Sequence, residues 1–505
     1  MLLKLLLNSV FFLSKKVDMG INQIKINFIR ILQHVTILNN FSIMRKILII
    51  LCLLLLNVSA KADRQEERFS KFNKWLVQNE FKDYYKLGFA EPTGKCKDLK
   101  KFSNHWYYNK CDKQKKIIPN YNVNTYNGNS EMPEKIKGKD VKANYETLLY
   151  YFWRYVHNDE GNWAGAPRYI DIKPSDNPYQ FKFDLREDKY IKKQMQKTAL
   201  LSYLLYEDGK IVIDEMSPKD RFGKVYTNET QFHSQSVGKS LASYILGHAI
   251  CKGYVGNIDS KINDWPIIKN SIYHDQKIID IINMAAGDQA YFSTNDPSNR
   301  YKTGRSVSNT TPKKAMENEF KELKPSKKRY AYNNFLPHLI LNYVIFKIGE
   351  EKYQELIDDI FRKKIGIEYG AFFAEPETSE PGDRSTTTTF LATRYDYLRI
   401  SKAMLDDWQN DTCEGKYLKS LFERKINKNE QWENNKDSFG LTKSYAGFFH
   451  TGLKGMRKRP IFIMDGFGGQ IFTIDFERGR IVATIAIHRD FNWKKIGYSV
   501  IKKGK

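Results

Sequence analysis

Residues 232–250 read FHSQSVGKSLASYILGHAI. From Ser236 to Cys251 the chain is nearly continuous in apolar and small residues, with no proline. That pattern predicts a helix buried on most of its sides. Ser236 and Lys239 lie three residues apart in it, and positions i and i+3 of a helix share a face. A serine hydroxyl is a weak nucleophile until a base takes its proton. An unprotonated lysine can be that base where burial or a neighbouring charge lowers its pKa. Ser236 falls in the first turn of the helix, where free backbone N–H groups favour developing negative charge. Gly238, between the two, is expected to leave room for a substrate. Alone, Ser-x-x-Lys is a weak pattern: Ser499-Val500-Ile501-Lys502 also fits it, in the C-terminal tail, and is given no role. The pair at 236 and 239 needs partners.

The segments on either side supply a frame. TALLSYLLYEDGKIVIDEM, residues 198–216, is two apolar runs joined at Asp208-Gly209, a strong hairpin signal. GGQIFTIDFERGRIVATIAIH, residues 468–488, reads as two more strands with a turn at Glu477-Arg478-Gly479. Residues 260–420 read as mostly helical, including a helix in IIDIINMAAG that ends at Gly287. Strands at both ends and helices between them predict an α+β plan. The expected architecture is an antiparallel sheet of five or more strands flanked by helices, with a mostly helical subdomain inserted at about 252–420.

The order of hairpin, Ser-x-x-Lys helix, and apolar helix ending MAAG resembles the serine β-lactamase and penicillin-binding-protein superfamily. The likeness is to its class C β-lactamase-related members, and is strongest to the 6-aminohexanoate-oligomer hydrolases and related esterases. It runs from about 176 to 490. The resemblance implies a β-lactamase/transpeptidase-like fold and an acyl-enzyme formed on Ser236, with Lys239 moving protons. Its second motif, Tyr-x-Asn, is matched by Tyr332-Asn333-Asn334 in RYAYNNFLPHLIL. Tyr332 would act as a base or relay a proton to the leaving group, and Asn334 would hold Lys239 and a substrate amide. Tyr107-Tyr108-Asn109 fits the same pattern and has no such setting.

The third motif of that superfamily, Lys-Thr-Gly, His-Thr-Gly or a shorter form, leads directly into the last two strands. Met464-Asp465-Gly466 does so here. His450-Thr451-Gly452 is the better literal match but lies further upstream. An aspartate at 465 would not bind a substrate carboxylate as a lysine or histidine would, which favours a neutral or amine-bearing substrate. Gly466 would let the strand edge approach the substrate closely. The resemblance also implies an oxyanion hole from the backbone N–H groups of Ser236 and Phe467. No counterpart is found for the glutamate that activates the deacylating water in class A enzymes, so deacylation would fall to Tyr332 and Lys239. No metal or organic cofactor is expected. The rival readings are a D-alanyl-D-alanine carboxypeptidase or β-lactamase, and a catalytically silent binding protein on the same fold.

The bulk properties fit a globular hydrolase. The chain has 505 residues, 41% of them hydrophobic and 14% aromatic, enough for a sizeable core. The net charge of +24 is spread along the sequence, and its densest cluster, KELKPSKKRY, carries no nucleic-acid-binding motif. The expected partner is a small or short peptide-like amide or ester, not a nucleic acid. Residues 44–62, MRKILIILCLLLLNVSAKA, have the build of a secretory signal. Two basic residues precede an apolar run too short to span a bilayer, and Ala60-Lys61-Ala62 forms a cleavage site. We expect cleavage after Ala62 and a periplasmic or secreted protein without a stable membrane anchor. Residues 1–43 are read as an extension upstream of a true start at Met44. Residues 63–175 are read as an N-terminal extension before the hydrolase domain at 176–505. In an oxidising compartment, Cys96 and Cys111 are the expected disulfide, and Cys251 reads as simply packed.

Overall fold

The computed structural model describes residues 169–288, 310–376, 385–428, 441–489 and 491–503, with scattered positions between 71 and 156. All of them belong to one compact unit, Lys71–Lys505. The segment 44–62, read as a secretory signal, and the expected Cys96–Cys111 disulfide lie outside the described residues. Among the described residues, no helix is long and apolar enough to cross a membrane.

The expected hairpin is present as β3 (Leu200–Glu207) and β4 (Lys210–Met216). Asp208 and Gly209 both take positive φ, 49° and 78°, as the two-residue turn that matches strand twist requires. The closing strands are β11 (Ile461–Gly466), β12 (Gln470–Asp475) and β13 (Arg480–Ala486). With β2 (Lys182–Phe183), β8 (Ile426–Asn427), β9 (Thr442–Ala446) and β10 (Phe449–Leu453), they build a nine-stranded sheet. Its order is β8-β9-β10-β11-β12-β13-β3-β4-β2, antiparallel throughout except for the β4–β2 pair. The two ends of the domain thus meet where β13 pairs with β3.

Strand β3 is buried at all eight positions, so the sheet is covered on both faces. One face packs Tyr203, Leu205, Ile463, Ile471 and Val482 against Ile191 and Met195 of α1 (Lys189–Lys197) and against Ile496, Val500 and Ile501 near the C-terminus. Helix α5 (Arg394–Gln409) takes the other face, with Tyr397 stacked on Phe472 at 5.0 Å. A second sheet of four antiparallel strands takes in chain upstream of residue 176. Its order is β1 (Tyr169–Ile172), β6 (Ala371–Ala374), β7 (Phe390–Ala392) and β5 (Phe232–His233). Phe152, further upstream, is buried among Phe222, Tyr226 and Phe232.

The quoted stretch is α2 (Val237–Cys251), with Ser236 at its N-cap position. It is buried from Val237 to Ala249, and its serine hydroxyls find partners inside: Ser240 donates to Phe448 O at 2.7 Å, and Ser243 meets Tyr417 at 2.9 Å. Two neighbours close in on its glycines. The ring of Tyr417, on α6 (Cys413–Glu423), lies where a Cβ on Gly247 would stand. At Gly238 a Cβ would fall 1.7 Å from Thr388 O. Gly238 therefore admits a neighbouring backbone, which corrects the expectation that it leaves space for substrate. Cys251 is also more than packed: it forms a disulfide with Cys413, 162 residues away, with Cα atoms 5.8 Å apart. The bond ties the end of α2 to the start of α6.

Two outcomes follow for stability, both measured by urea denaturation. G238A drives its methyl into the Thr388 carbonyl and is expected to cost about 3 kcal/mol or more; a loss under about 1 kcal/mol contradicts the close approach. Replacing Cys251 and Cys413 together by alanine is expected to cost about 2–5 kcal/mol, because the bond closes a long loop.

Candidate active site

The site is assembled at the N-terminus of α2. The preceding residue, Gln235, has φ +51°, a left-handed conformation uncommon for a side-chain-bearing residue. Its backbone N–H is fixed by donation to His233 Nδ1 at 2.8 Å. This bend leaves Ser236 half-buried at the helix start. One turn on, Lys239 is only 4% exposed, and its Nζ donates to Ser236 Oγ at 2.7 Å. The spacing that put the two residues on one face thus brings their reactive atoms into contact.

Tyr332 stands on the other side of the amine. Lys239 Nζ lies 5.0 Å from the centre of the Tyr332 ring, within cation–π range. Tyr332 sits just before α4 (Phe335–Ile348), as the motif predicted. The asparagines that follow it differ from expectation. Asn334 is exposed, and no hydrogen bond joins it to Lys239 among the described residues. Asn333 is the buried one. Its Oδ1 accepts from the N–H groups of Phe335 and Leu336, each at 3.0 Å, and so caps α4. The helix start has unsatisfied donors to meet, and they draw Asn333 inward and leave its neighbour outside.

A wall behind Lys239 had no signature in the sequence. His338, one turn into α4, is buried, and its Nε2 lies 3.1 Å from Thr388 Oγ1. Burial, and then the charge of Lys239, push the His338 pKa down to about 3, so the imidazole stays neutral. The Thr388 carbonyl is the group that presses on Gly238. Residue 338 was visible in the quoted motif, six positions after Tyr332; nothing in the sequence marked Thr388.

The third strand edge is β11. It runs directly into the β12–β13 pair, and a Cβ on its last residue, Gly466, would lie 2.7 Å from Ser234 O. Met464-Asp465-Gly466 therefore abuts the segment that leads into Ser236. His450-Thr451-Gly452 lies one strand further out, on β10, where His450 pairs with Ile463. The His450 ring is nevertheless 6.2 Å from that of Tyr332, and its Nδ1 is 3.0 Å from Lys428 Nζ. Asp465 does not edge the cleft as a lone carboxylate. Its side chain is 3% exposed and ion-paired with Arg489, which also donates to Gly466 O at 2.8 Å. The expectation of a negative strand edge is corrected: the charge is neutralised internally, because a buried carboxylate needs a partner. Phe467, the expected second oxyanion donor, follows Gly466 at the tip of this strand. Among the described residues, no group of acidic, cysteine and histidine side chains could hold a metal ion.

No family model matches the chain, and no curated protein matches it. Its fold does match solved structures. A Bacillus anthracis protein assigned as a 6-aminohexanoate-dimer hydrolase superimposes with a TM-score of 0.52 at 15% identity, over 69% of this chain and 92% of that one. A family VIII carboxylesterase gives 0.47 at 14% identity, over 64% of this chain and 98% of that one. A Bacteroides dorei protein assigned as a β-lactamase gives 0.45 at 14% identity, over 62% and 95%. At 15% identity the first of these likenesses is one of fold alone, and it agrees with the fold that the order of the motifs implied.

Proposed function

We propose that the chain is a serine hydrolase that cleaves an amide or ester bond through an acyl-enzyme on Ser236. The observation that carries this reading is the 2.7 Å contact between Lys239 Nζ and Ser236 Oγ in a buried setting. Lys239 takes the hydroxyl proton as Ser236 Oγ bonds to the substrate carbonyl carbon. The carbonyl oxygen becomes an oxyanion, received by the N–H groups of Ser236 and Phe467. Lys239 and Tyr332 carry the proton to the leaving nitrogen or oxygen, and the carbon–heteroatom bond breaks. Water then adds to the ester carbonyl, gives a proton back to Ser236 Oγ along the same route, and releases the acid.

The strand edge bears on the substrate class. Positions 464–466 offer no cation for a carboxylate beside the scissile bond, since Arg489 is engaged with Asp465. This favours an amide or ester with no carboxylate beside the scissile bond over a D-alanyl-D-alanine terminus or a β-lactam. The segment at 44–62 is proposed to export the protein; N-terminal sequencing of material from its native cell should find a chain starting at Asp63, and an intact residue 44 would contradict export.

The test is turnover of p-nitrophenyl butyrate beside the β-lactam nitrocefin. Wild type should hydrolyse the ester faster than nitrocefin. S236A should be inactive, and K239M and Y332F should each lose about 100-fold or more in kcat. An S236A variant as active as wild type would end the proposal. The ion pair is tested by stability. R489M takes the Arg489 guanidinium away from the buried Asp465 carboxylate, at an expected cost of about 3–5 kcal/mol, and R489M with D465L should recover most of it. Simple additivity of the two losses would contradict the pairing.

A further inference from the structure

The turn beneath Tyr332 carries a buried acid that the proposed chemistry does not use. Asp288 ends the turn Met284–Asp288 that follows α3 (Ile278–Ile282), and it is fully buried. Its Oδ2 accepts from Tyr273 OH at 3.1 Å and from Asn333 Nδ2 at 3.3 Å. Among the described residues, its Oδ1 meets no side-chain or backbone partner from another residue. Asn333 is the residue whose Oδ1 caps α4, directly after Tyr332. The same turn grips the Tyr332 segment elsewhere. Ala331 N–H donates to Met284 O, and both the N–H and the hydroxyl of Ser326 donate to Gly287 O, each at 2.8 Å. Gly287 itself has φ +76°, and a Cβ there would fall 2.4 Å from Ser326 O. The segment that carries Tyr332 is thus stitched to the 284–288 turn, and Asp288 is the side-chain acceptor in the seam.

Burial of Asp288 disfavours its charged form. Tyr273 is the titratable group that faces it, and burial together with Asp288 holds the Tyr273 pKa well above its usual value, so it remains a hydroxyl. The Phe320 and Phe335 rings pack on Tyr273 at 5.2 Å and 5.7 Å, which makes this wall apolar. Among the described residues, no cation faces the carboxyl. Burial pushes its pKa up to about 7, against the pull of Tyr273, its own backbone N–H and the Asn333 amide.

We propose that Asp288 is a positioning residue for Tyr332, acting through Asn333, and that its working form is the protonated acid. This rests on the reading of Tyr332 as a proton carrier. Ionisation leaves a buried charge with no counter-ion among the described residues. The turn relieves that cost by admitting water, which shifts Asn333 and the head of α4. The sign for stability follows from linkage. The folded state holds the Asp288 proton more tightly than the unfolded chain, so its contribution is greatest at about pH 4 and below, and is lost as pH rises through about 7.

The test uses the full-length protein and three variants. D288N keeps an acceptor for both donors and cannot ionise; D288A removes the acceptor. Turnover of p-nitrophenyl butyrate is measured from about pH 5.5 to about pH 8.5, beside urea denaturation from about pH 4 to about pH 8. The ratio of D288N to wild-type kcat should rise by about threefold or more across the upper range, and D288N should lose the fall in stability between about pH 4 and about pH 7. D288A should be slower at every pH. If D288A does not fold, D288N alone decides. A ratio and a stability difference that are both flat with pH overturn the inference. Y332F separates the two claims: full activity in Y332F, or an inert wild type, defeats the parent reading, whereas an impaired Y332F with a flat D288N ratio defeats the role of Asp288 alone.

Discussion

The side chain of Lys239 has to be buried and yet satisfied, and the site is built around that demand. A lysine that is 4% exposed has little access to water, so its amine draws its partners from the chain. Ser236 accepts its hydrogen bond, and the Tyr332 ring lies on another side of it. The helix that carries it can be sunk so deep only because its own polar groups are met by Phe448 and Tyr417, and because Gly238 and Gly247 let neighbours come close. The packing that hides Lys239 is therefore also what aims it. Helix α4 makes the same compromise: it brings a histidine into the wall behind the amine, and burial keeps that histidine uncharged.

The sheet serves this arrangement from the other side. Strand β11 ends at Gly466, against the carbonyl of Ser234, so the segment leading into α2 and the tip of the strand lie in contact. The Asp465–Arg489 pair and the bond from Arg489 to Gly466 O fasten that tip to the chain just beyond β13. A strand edge held by an internal ion pair is nearly neutral, and under the proposed function it would be a nearly neutral border for the substrate. That is a different border from a free lysine, and also from the free carboxylate that the residue at 465 suggests when read alone.

Local features were legible in the sequence because local physics sets them. The Asp208-Gly209 turn demands residues tolerant of positive φ, and the spacing of Ser236 and Lys239 on a helix fixes their common face. The place of Tyr332 before an apolar helix was readable for the same reason. What stayed hidden depended on partners far away in the chain. Cys251 finds Cys413 across 162 residues, and Asp465 finds Arg489 across a hairpin. Thr388 fills the space beside Gly238 without any motif of its own. The choice between Asn333 and Asn334 is the narrowest case. Two adjacent and identical residues divide into a buried cap and an exposed neighbour because the helix donors and Asp288 lie on one side only.

The central claim is that Ser236 is a nucleophile activated by Lys239. It is tested most directly by mass spectrometry of the full-length protein after exposure to a fluorophosphonate. The account predicts a single phosphonyl adduct on Ser236, formed far more slowly in K239M. An unmodified Ser236 in folded wild-type protein, or an adduct that forms on it just as fast without Lys239, contradicts it.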